Sequence, residues 1–220
     1  MPDIHEWTHR RPGGGRPPRR ALAVTHVADL RPTDHVLDVG CAGGEVALEV
    51  ARLVERLHGL DVRPDRVQQA TERAAARGIP NATFEVTAIQ DYSLEPCSWD
   101  VTLFMRVWGK GKGARAVGEA ELGRVLRATR RQAILQGGKV RSEQRLTPIL
   151  ELCDDHGFDA AWFVHLNLIV ASRRDAGARL GALPERVAVR APWGPVLVPV
   201  AAVRDHPLLG SVVANRRAAV

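Results

Sequence analysis

The stretch Val36-Leu37-Asp38-Val39-Gly40-Cys41-Ala42-Gly43-Gly44 decides how this chain folds. A short apolar run carrying one carboxylate breaks into a string of small residues, and a helix-compatible segment follows at once. A strand, a glycine-rich turn and a helix in that order aim backbone amides and a helix N-terminus at whatever lies beyond the strand's carboxyl end. Small side chains let a ligand come close to that backbone. The turn alone does not choose the ligand, because several nucleotide-bearing cofactors are held this way. Asp61 adds a second constraint. It ends the next apolar run, at the interval where a carboxylate accepts both hydroxyls of a ribose; as an Asp shortly before Pro64 it also has the makings of a helix cap.

Outward from this point, strands and helices alternate. The spacing predicts strands over 35–39, 58–62, 83–88, 99–107 and 132–136, and helices over 45–57, 64–77, 115–129 and 145–156. Helices of this length between strands imply right-handed crossovers and a parallel sheet covered on both faces. The last two apolar runs, 158–165 and 168–172, stand too close for a crossover and predict an antiparallel hairpin at the sheet edge. The expected fold is α/β: a seven-stranded, mostly parallel sheet with helices on both faces, a closing antiparallel hairpin and a small C-terminal β-rich appendage. Ahead of the sheet, Leu22, Val24, Val27 and Leu30 predict a short amphipathic helix over 20–30, stopped by Pro32. Residues 1–20, rich in Arg, Pro and Gly, read as a flexible arm or lid, and 21–174 as the ligand-binding domain. Residues 175–220 read as the appendage, with short strands around Pro192-Trp193-Gly194-Pro195.

At 220 residues, 45% of them hydrophobic, the chain suits one medium domain. It holds neither an apolar run long enough for a membrane span nor a basic tip followed by an apolar stretch, so the cytoplasm is the expected location. Cys41, Cys97 and Cys153 form no CxxC pair and leave an odd count, which speaks against a disulfide framework and a zinc site; no metal is expected. The net charge of +6 suits nucleic acid or acidic ligands, but arginine and alanine are also spread along the whole chain as a general compositional habit.

Four features, in order and at the right spacing, carry a family likeness. Leu37 to Gly44 resembles the first motif of the class I, Rossmann-like S-adenosylmethionine-dependent methyltransferases, and Asp61 matches their ribose-binding acid. Phe84-Glu85-Val86-Thr87-Ala88-Ile89-Gln90-Asp91 places Ala88 and Ile89 where that family lines its adenine pocket. Trp99-Asp100-Val101-Thr102-Leu103-Phe104 is similar to the family's Phe-Asp opening of the fourth strand. The likeness covers about residues 35–173, closing hairpin included. It implies S-adenosyl-L-methionine as cofactor, held by Asp38, Gly40, Cys41, Ala42, Gly44, Asp61, Val62, Ala88, Ile89 and Arg106. Two positions depart from the family pattern. Ala42 replaces the usual middle glycine, and Ala88 stands where an acid often takes the adenine amine, which leaves that hydrogen bond to Gln90, Asp91 or backbone.

Methyl transfer from a sulfonium is an in-line displacement, so aligning the acceptor and excluding water supply much of the rate; a base is needed only for a nucleophile that arrives protonated. The acceptor is expected beyond the strand ends, at 105–113 and 136–139. All three lysines of the chain, Lys110, Lys112 and Lys139, fall there. Gly alternating with Lys bends the backbone around a ligand and offers ammonium donors; the stretch reads as a pocket for a carboxylate or phosphate, or as an ordinary exposed loop. Trp108 is a pocket wall or core packing, and Arg106 faces the methionine carboxylate, the acceptor or solvent. Tyr92 and Asp91 are rim residues of the adenine edge or part of a solvated loop. Candidate acid–base groups are His5 and His9 on the arm, Lys110, and His165, which with Asn167 also suits the hairpin turn.

The expected function is methylation of oxygen, nitrogen or carbon on a small, anionic metabolite. RNA methylation is the alternative enzyme reading and a non-catalytic cofactor- or partner-binding role the other. RNA would draw on the basic charge, yet the sequence carries no Asn-Pro-Pro-Tyr-like motif, catalytic-cysteine pattern or RNA-binding module. Apolar strands such as 196–200 seek an edge, which makes a homodimer an option.

Overall fold

A computed structural model describes residues 19–108, 117–136, 143–163, 168–176, 186–191, 194–199 and 212–214. The strand that ends in the glycine turn, β1 (His35–Val39), is apolar toward both faces and so sits in the middle of the sheet. Val36 points into one core, Leu37 and Val39 into the other. Parallel strands β2 (Arg56–Asp61) and β4 (Trp99–Met105) flank it, with β3 (Ala82–Val86) outside β2 and β5 (Thr129–Gln136) outside β4. The hairpin of β6 (Phe158–Phe163) and β7 (Leu168–Arg173) closes the sheet antiparallel to β5, giving the order β6-β7-β5-β4-β1-β2-β3. Strand order reverses between β1 and β4, and a reversal of this kind opens a crevice at the carboxyl ends of the strands.

Helices α1 (Arg19–Val27), α2 (Ala47–Ala51) and α3 (Pro64–Ala76) cover one face, where Val24, Val27, Leu48, Val50, Leu103 and Ile134 are fully enclosed. Helices α4 (Glu119–Ala128) and α5 (Glu143–Asp155) cover the other, over Leu37, Phe104, Leu122, Leu126, Cys153 and Phe158. At about 1.5–3 kcal/mol for each large apolar side chain, these two cores hold the sheet and fix its edges in space.

Local pattern and fold differ at several element ends, β5 for one beginning at Thr129 rather than 132, and three of the differences have a traceable reason. The helix expected over 45–57 is a helix only over Ala47–Ala51, and β2 begins at Arg56. Asn81 Nδ2 donates to the carbonyls of Ala51 and Val54 at 2.7 and 3.0 Å, and Asp34 O accepts the N–H groups of Glu55 and Arg56, so long-range partners end the helix early. Helix α4 starts at Glu119 rather than 115, where the Gly118 N–H donates to the Glu121 carboxylate at 2.8 Å. Strand β4 stops at Met105 because Arg106 turns into the left-handed region at φ 61°.

The C-terminal region carries an antiparallel ribbon, β8 (Arg186–Ala191) and β9 (Gly194–Pro199), and β8 lies against α1. A further strand, β10 (Val212–Ala214), pairs antiparallel with β6 and extends the seven-stranded sheet to eight. It satisfies backbone groups that β6 would otherwise present as an open edge. Among the described residues, no helix is long and apolar enough to cross a membrane.

Candidate active site at the carboxyl ends of the strands

The glycine turn is bound to β2 through its own backbone. The N–H groups of Gly40 and Cys41 both donate to Leu60 O, at 2.7 and 2.9 Å. The Ala42 N–H donates to Asp61 Oδ2 at 2.9 Å, and the Arg63 N–H to Asp61 Oδ1 at 3.0 Å. Asp61 therefore joins the turn to the end of β2. The N-cap position of α3 belongs to Arg63, in extended conformation ahead of Pro64, so the capping role considered for Asp61 falls away. Gly40, Ala42 and Gly44 all have positive φ, at 79°, 49° and 75°. Ala42 does so with a Cβ, at a cost of roughly 1–2 kcal/mol that a glycine would not meet.

Close packing explains two of the glycines. A Cβ on Gly40 would lie 2.2 Å from Val107 Cγ1, and one on Gly43 would lie 2.3 Å from Gln69 Oε1 and 2.8 Å from Arg73 Nη1. Arg73 also donates to Gly43 O at 2.8 Å, so α3 is seated directly on the turn. Asp38 is only 2% exposed and lies on the α1 face with Val36. Burial, helped by the charge of Asp61, pushes its carboxyl up to about 7. The Cys41 thiol is pushed far above its ordinary range by burial and then by Asp38 and Asp61.

On the β2–β3 side, Val62 and Val86 are exposed large apolar residues at the strand tips, 65% and 48% accessible. Ala88 and Ile89 beside them are buried. The connection from β3 to β4 contains no helix, and its first part is held by Arg124 of α4, which donates to the carbonyls of Ile89, Gln90 and Tyr92 at 2.9, 3.3 and 2.7 Å. Tyr92 stacks on His58 at 5.7 Å, with Trp99 on the same ring at 6.2 Å.

On the β4–β5 side, the exposed Arg106 donates its backbone N–H to Gln136 O at 2.9 Å, while Val107 and Trp108 pack half-buried against the α4–α5 core. Gln136, 8% exposed, ends β5 on the α1 face, the face of Ile134 two residues earlier. Among the described residues its buried Oε1 has no hydrogen-bond partner. Arg20 on α1 is lowered below the usual guanidinium range, first by burial and then by Arg106, with Glu45 acting the other way.

The structure thus brings Asp38, Gly40, Cys41, Ala42, Gly44, Asp61, Val62, Ala88, Ile89 and Arg106 to the strand tips, with Trp108 adjoining. His5, His9, Lys110, Lys112, Lys139 and His165 lie outside the described residues, as do Trp7 and Asn167. Arg124 and Arg20 carry no expectation from sequence, and Gln136 enters there only as the first residue of the 136–139 acceptor stretch. An arginine inside a helical run and a glutamine ending a strand carry no local mark, although the position of Gln136 at a carboxyl strand end was a usable signal.

Residues 36–129 match a family model described as a methyltransferase domain. The 23S rRNA (uracil(1939)-C(5))-methyltransferase RlmD of Photobacterium angustum is 41% identical over 56 residues, which cover 26% of this chain and 26% of that protein. The match thus spans about a quarter of that curated relative's length. Among solved structures, magnesium protoporphyrin IX methyltransferase of Synechocystis PCC 6803 with bound SAM is similar at a TM-score of 0.54 and 18% identity, over 64% of this chain and 71% of that one. The YcgJ protein of Bacillus subtilis is similar at a TM-score of 0.54 and 15% identity, over 74% and 80%. The fold is that of the class I, Rossmann-like methyltransferases, and residues 36–129 are a methyltransferase domain. S-Adenosyl-L-methionine is the cofactor of this domain type.

Proposed function

We propose that this chain transfers the methyl group of S-adenosyl-L-methionine to oxygen, nitrogen or carbon of a small, anionic acceptor by in-line displacement. The observation that carries the reading is the bridge from the Ala42 N–H to Asp61 at 2.9 Å, which sets an acid against the glycine turn at the point where strand order reverses. Each Asp61 oxygen accepts one backbone N–H and keeps lone-pair capacity for a ribose hydroxyl. In this reading Asp38 faces the methionine ammonium, the backbone of Gly40, Cys41, Ala42 and Gly44 surrounds the methionine end, and Val62, Ala88 and Ile89 enclose the adenine. Arg106, with Arg20 beside it, faces a carboxylate of the methionine or of the acceptor. The acceptor lies toward Gln136 and Trp108, with Lys110, Lys112 and Lys139 supplying cationic donors and His5, His9, Lys110 or His165 removing a proton where the nucleophile carries one.

Thermal melting with S-adenosylhomocysteine tests the cofactor half, because binding to the native state alone raises apparent stability. An unshifted melting curve at saturating ligand would sink it. Replacing Lys110 and Lys112 by Ala tests the acceptor half: acceptor affinity is expected to fall while cofactor affinity stays, and unchanged acceptor binding removes the anion pocket.

The identity to an rRNA methyltransferase favours a second reading, methylation of RNA. The cysteines limit which atom that would be. Methylating C5 of a pyrimidine calls for a nucleophile that first adds to the ring, and a thiolate is the usual one. Cys41 and Cys153 are buried, the latter pushed up to about 12 by burial, and Cys97 lies just before β4, at the opposite end of that strand from Arg106. Steeply salt-dependent RNA binding together with methyl transfer would put RNA ahead of a small metabolite. The cytoplasm is the compartment proposed for either substrate. A homodimer joined along β9, an edge that Pro195 and Pro199 blunt, is open to sedimentation.

A further inference from the structure

The connection from β3 to β4 must supply the adenine pocket without a helix of its own to hold it. Residues 87–98 run between the two strands as turns and bends, and a segment of this kind with ordinary solvent-facing carbonyls would sample many conformations. Arg130 Nη2 holds its far end through Cys97 O at 2.8 Å and the His58 ring stacks on Tyr92, but the carbonyls of its first part are held by one side chain. Arg124, half-buried on α4, spreads its guanidinium over three carbonyls of the segment: Nη1 donates to Ile89 O at 2.9 Å and Gln90 O at 3.3 Å, and Nη2 to Tyr92 O at 2.7 Å. The planar fork of arginine suits several acceptors at once, whereas a lysine ammonium acts as a point charge. The neighbouring α4 residues Leu122, Val125 and Leu126 are locked in the core, so the fork is mounted on a rigid element.

The carbonyls drawn toward α4 leave donors on the other side of the chain. The Asp91 and Tyr92 N–H groups both close back onto Ala88 O, at 3.0 and 3.2 Å. The N–H groups of Ala88 and Ile89 donate to no acceptor among the described residues, although both residues are buried, at 7% and 5% exposure. Amide donors with no protein acceptor are free to meet a ligand. They sit beside Val62 and Val86, the exposed apolar residues at the tips of β2 and β3. Two fixed donors next to an apolar wall match the edge of a purine whose ring nitrogens accept.

We propose that Arg124 is the positioning residue for the adenine of the cofactor: by holding the Ile89, Gln90 and Tyr92 carbonyls it presents the Ala88 and Ile89 amides to the purine edge. The inference rests on the S-adenosylmethionine reading. With Ala88 in place of the usual acid, no carboxylate at that position accepts from the adenine amine, and the ring nitrogens are left as the atoms that backbone donors can read. A backbone donor aimed at a ring nitrogen discriminates only when its loop is held still.

Three ligands separate the possibilities: S-adenosylhomocysteine, its deaminated analogue S-inosylhomocysteine, and homocysteine-free methylthioadenosine. Hypoxanthine reverses the polarity of adenine at N1 and the exocyclic position, so it sets an N–H against a backbone donor. The wild-type protein is expected to bind S-adenosylhomocysteine at least about tenfold more tightly than S-inosylhomocysteine by titration calorimetry. Arg124→Ala is expected to weaken S-adenosylhomocysteine and methylthioadenosine alike by about tenfold, to leave S-inosylhomocysteine nearly unchanged and so to erase the preference. Arg124→Lys recovers part of it, and Arg124→Gln stands in if the alanine variant does not fold. Equal losses for the adenine and hypoxanthine ligands would mean a merely structural arginine, and an unchanged preference would mean that the loop holds itself; either overturns the proposal. Failure of the wild-type protein to bind any of the three removes the cofactor reading itself, and this inference with it.

Discussion

The two sides of the crevice are built on different terms. At the tips of β1 and β2 the backbone is already partnered: Leu60 O takes two amides of the glycine turn, Asp61 takes a third, and α3 is packed onto Gly43. At the tips of β4 and β5 the Arg106 N–H is taken by Gln136 O, but the side chains find no such partners among the described residues. Arg106 holds a positive φ of 61° with its side chain exposed, and the buried Oε1 of Gln136 has no partner among the described residues. In the proposed function, with the methionine and ribose of the cofactor on the β1–β2 side and the acceptor on the β4–β5 side, the difference matches what each side would recognise. The methionine and ribose end of a cofactor common to a whole fold class would be met by a turn that the sheet itself stabilises, whereas an acceptor peculiar to one enzyme would be met by groups whose cost is carried until it arrives.

Removing the acid that organises the cofactor side should do the most damage. Asp61→Ala deletes two charge-assisted bonds to backbone as well as any to ribose, each worth about 1.5–3 kcal/mol. S-Adenosylhomocysteine affinity is expected to fall by at least about a hundredfold, with Asp61→Asn intermediate; calorimetry showing less than about a threefold change would remove Asp61 from the site.

A smaller effect should follow pH through Asp38. Its carboxyl is raised from 3.8 to about 7, so the unfolded chain ionises first, and stability contributed by the protonated form is lost as pH climbs from about 4 to 7 and is level above. Pairing with the methionine ammonium needs the carboxylate, which gives the cofactor the opposite trend. Its affinity should rise with pH up to about 7, by no more than about tenfold per unit, and Asp38→Asn should flatten the slope. A wild-type affinity independent of pH between 5.5 and 8, read at about half-unit steps, counts against that pairing.

On the acceptor side, Gln136→Leu is expected to raise the melting temperature of the ligand-free protein, since an orphaned buried acceptor costs about 1–3 kcal/mol. It should slow methyl transfer and leave S-adenosylhomocysteine affinity alone. A variant that melts lower and loses cofactor as well would erase the contrast between the two sides. The smallest change is Ala42→Gly, which relieves a left-handed alanine at φ 49°. Stability should rise by about 0.5–1 kcal/mol in chemical denaturation, less than the full strain because glycine also loosens the unfolded chain.

Much of this was legible in the residues themselves. The order of strands and helices, the glycine turn, Asp61 at the end of the second strand and the closing hairpin all follow from local periodicity and spacing, because hydrophobic alternation and small-residue turns are written within a few residues of where they act. The helix ending at Ala51 was not legible. Asn81, some thirty residues away, takes its terminal carbonyls. Nor was β10, whose three residues gain meaning only against the open edge of β6.

The site divides along the same line. Sequence by itself determined which residues crowd the carboxyl ends of β1 and β2, since their roles depend on turn chemistry and on the distance along the chain from one strand to the next. Only the tertiary structure decided that Asp61 ties the turn rather than capping α3, that Arg124 reaches across 35 residues to the Ile89 carbonyl, and that the buried Oε1 of Gln136 has no partner among the described residues. Burial, charge proximity and hydrogen bonds between distant segments are properties of the packed chain, and no periodicity announces them.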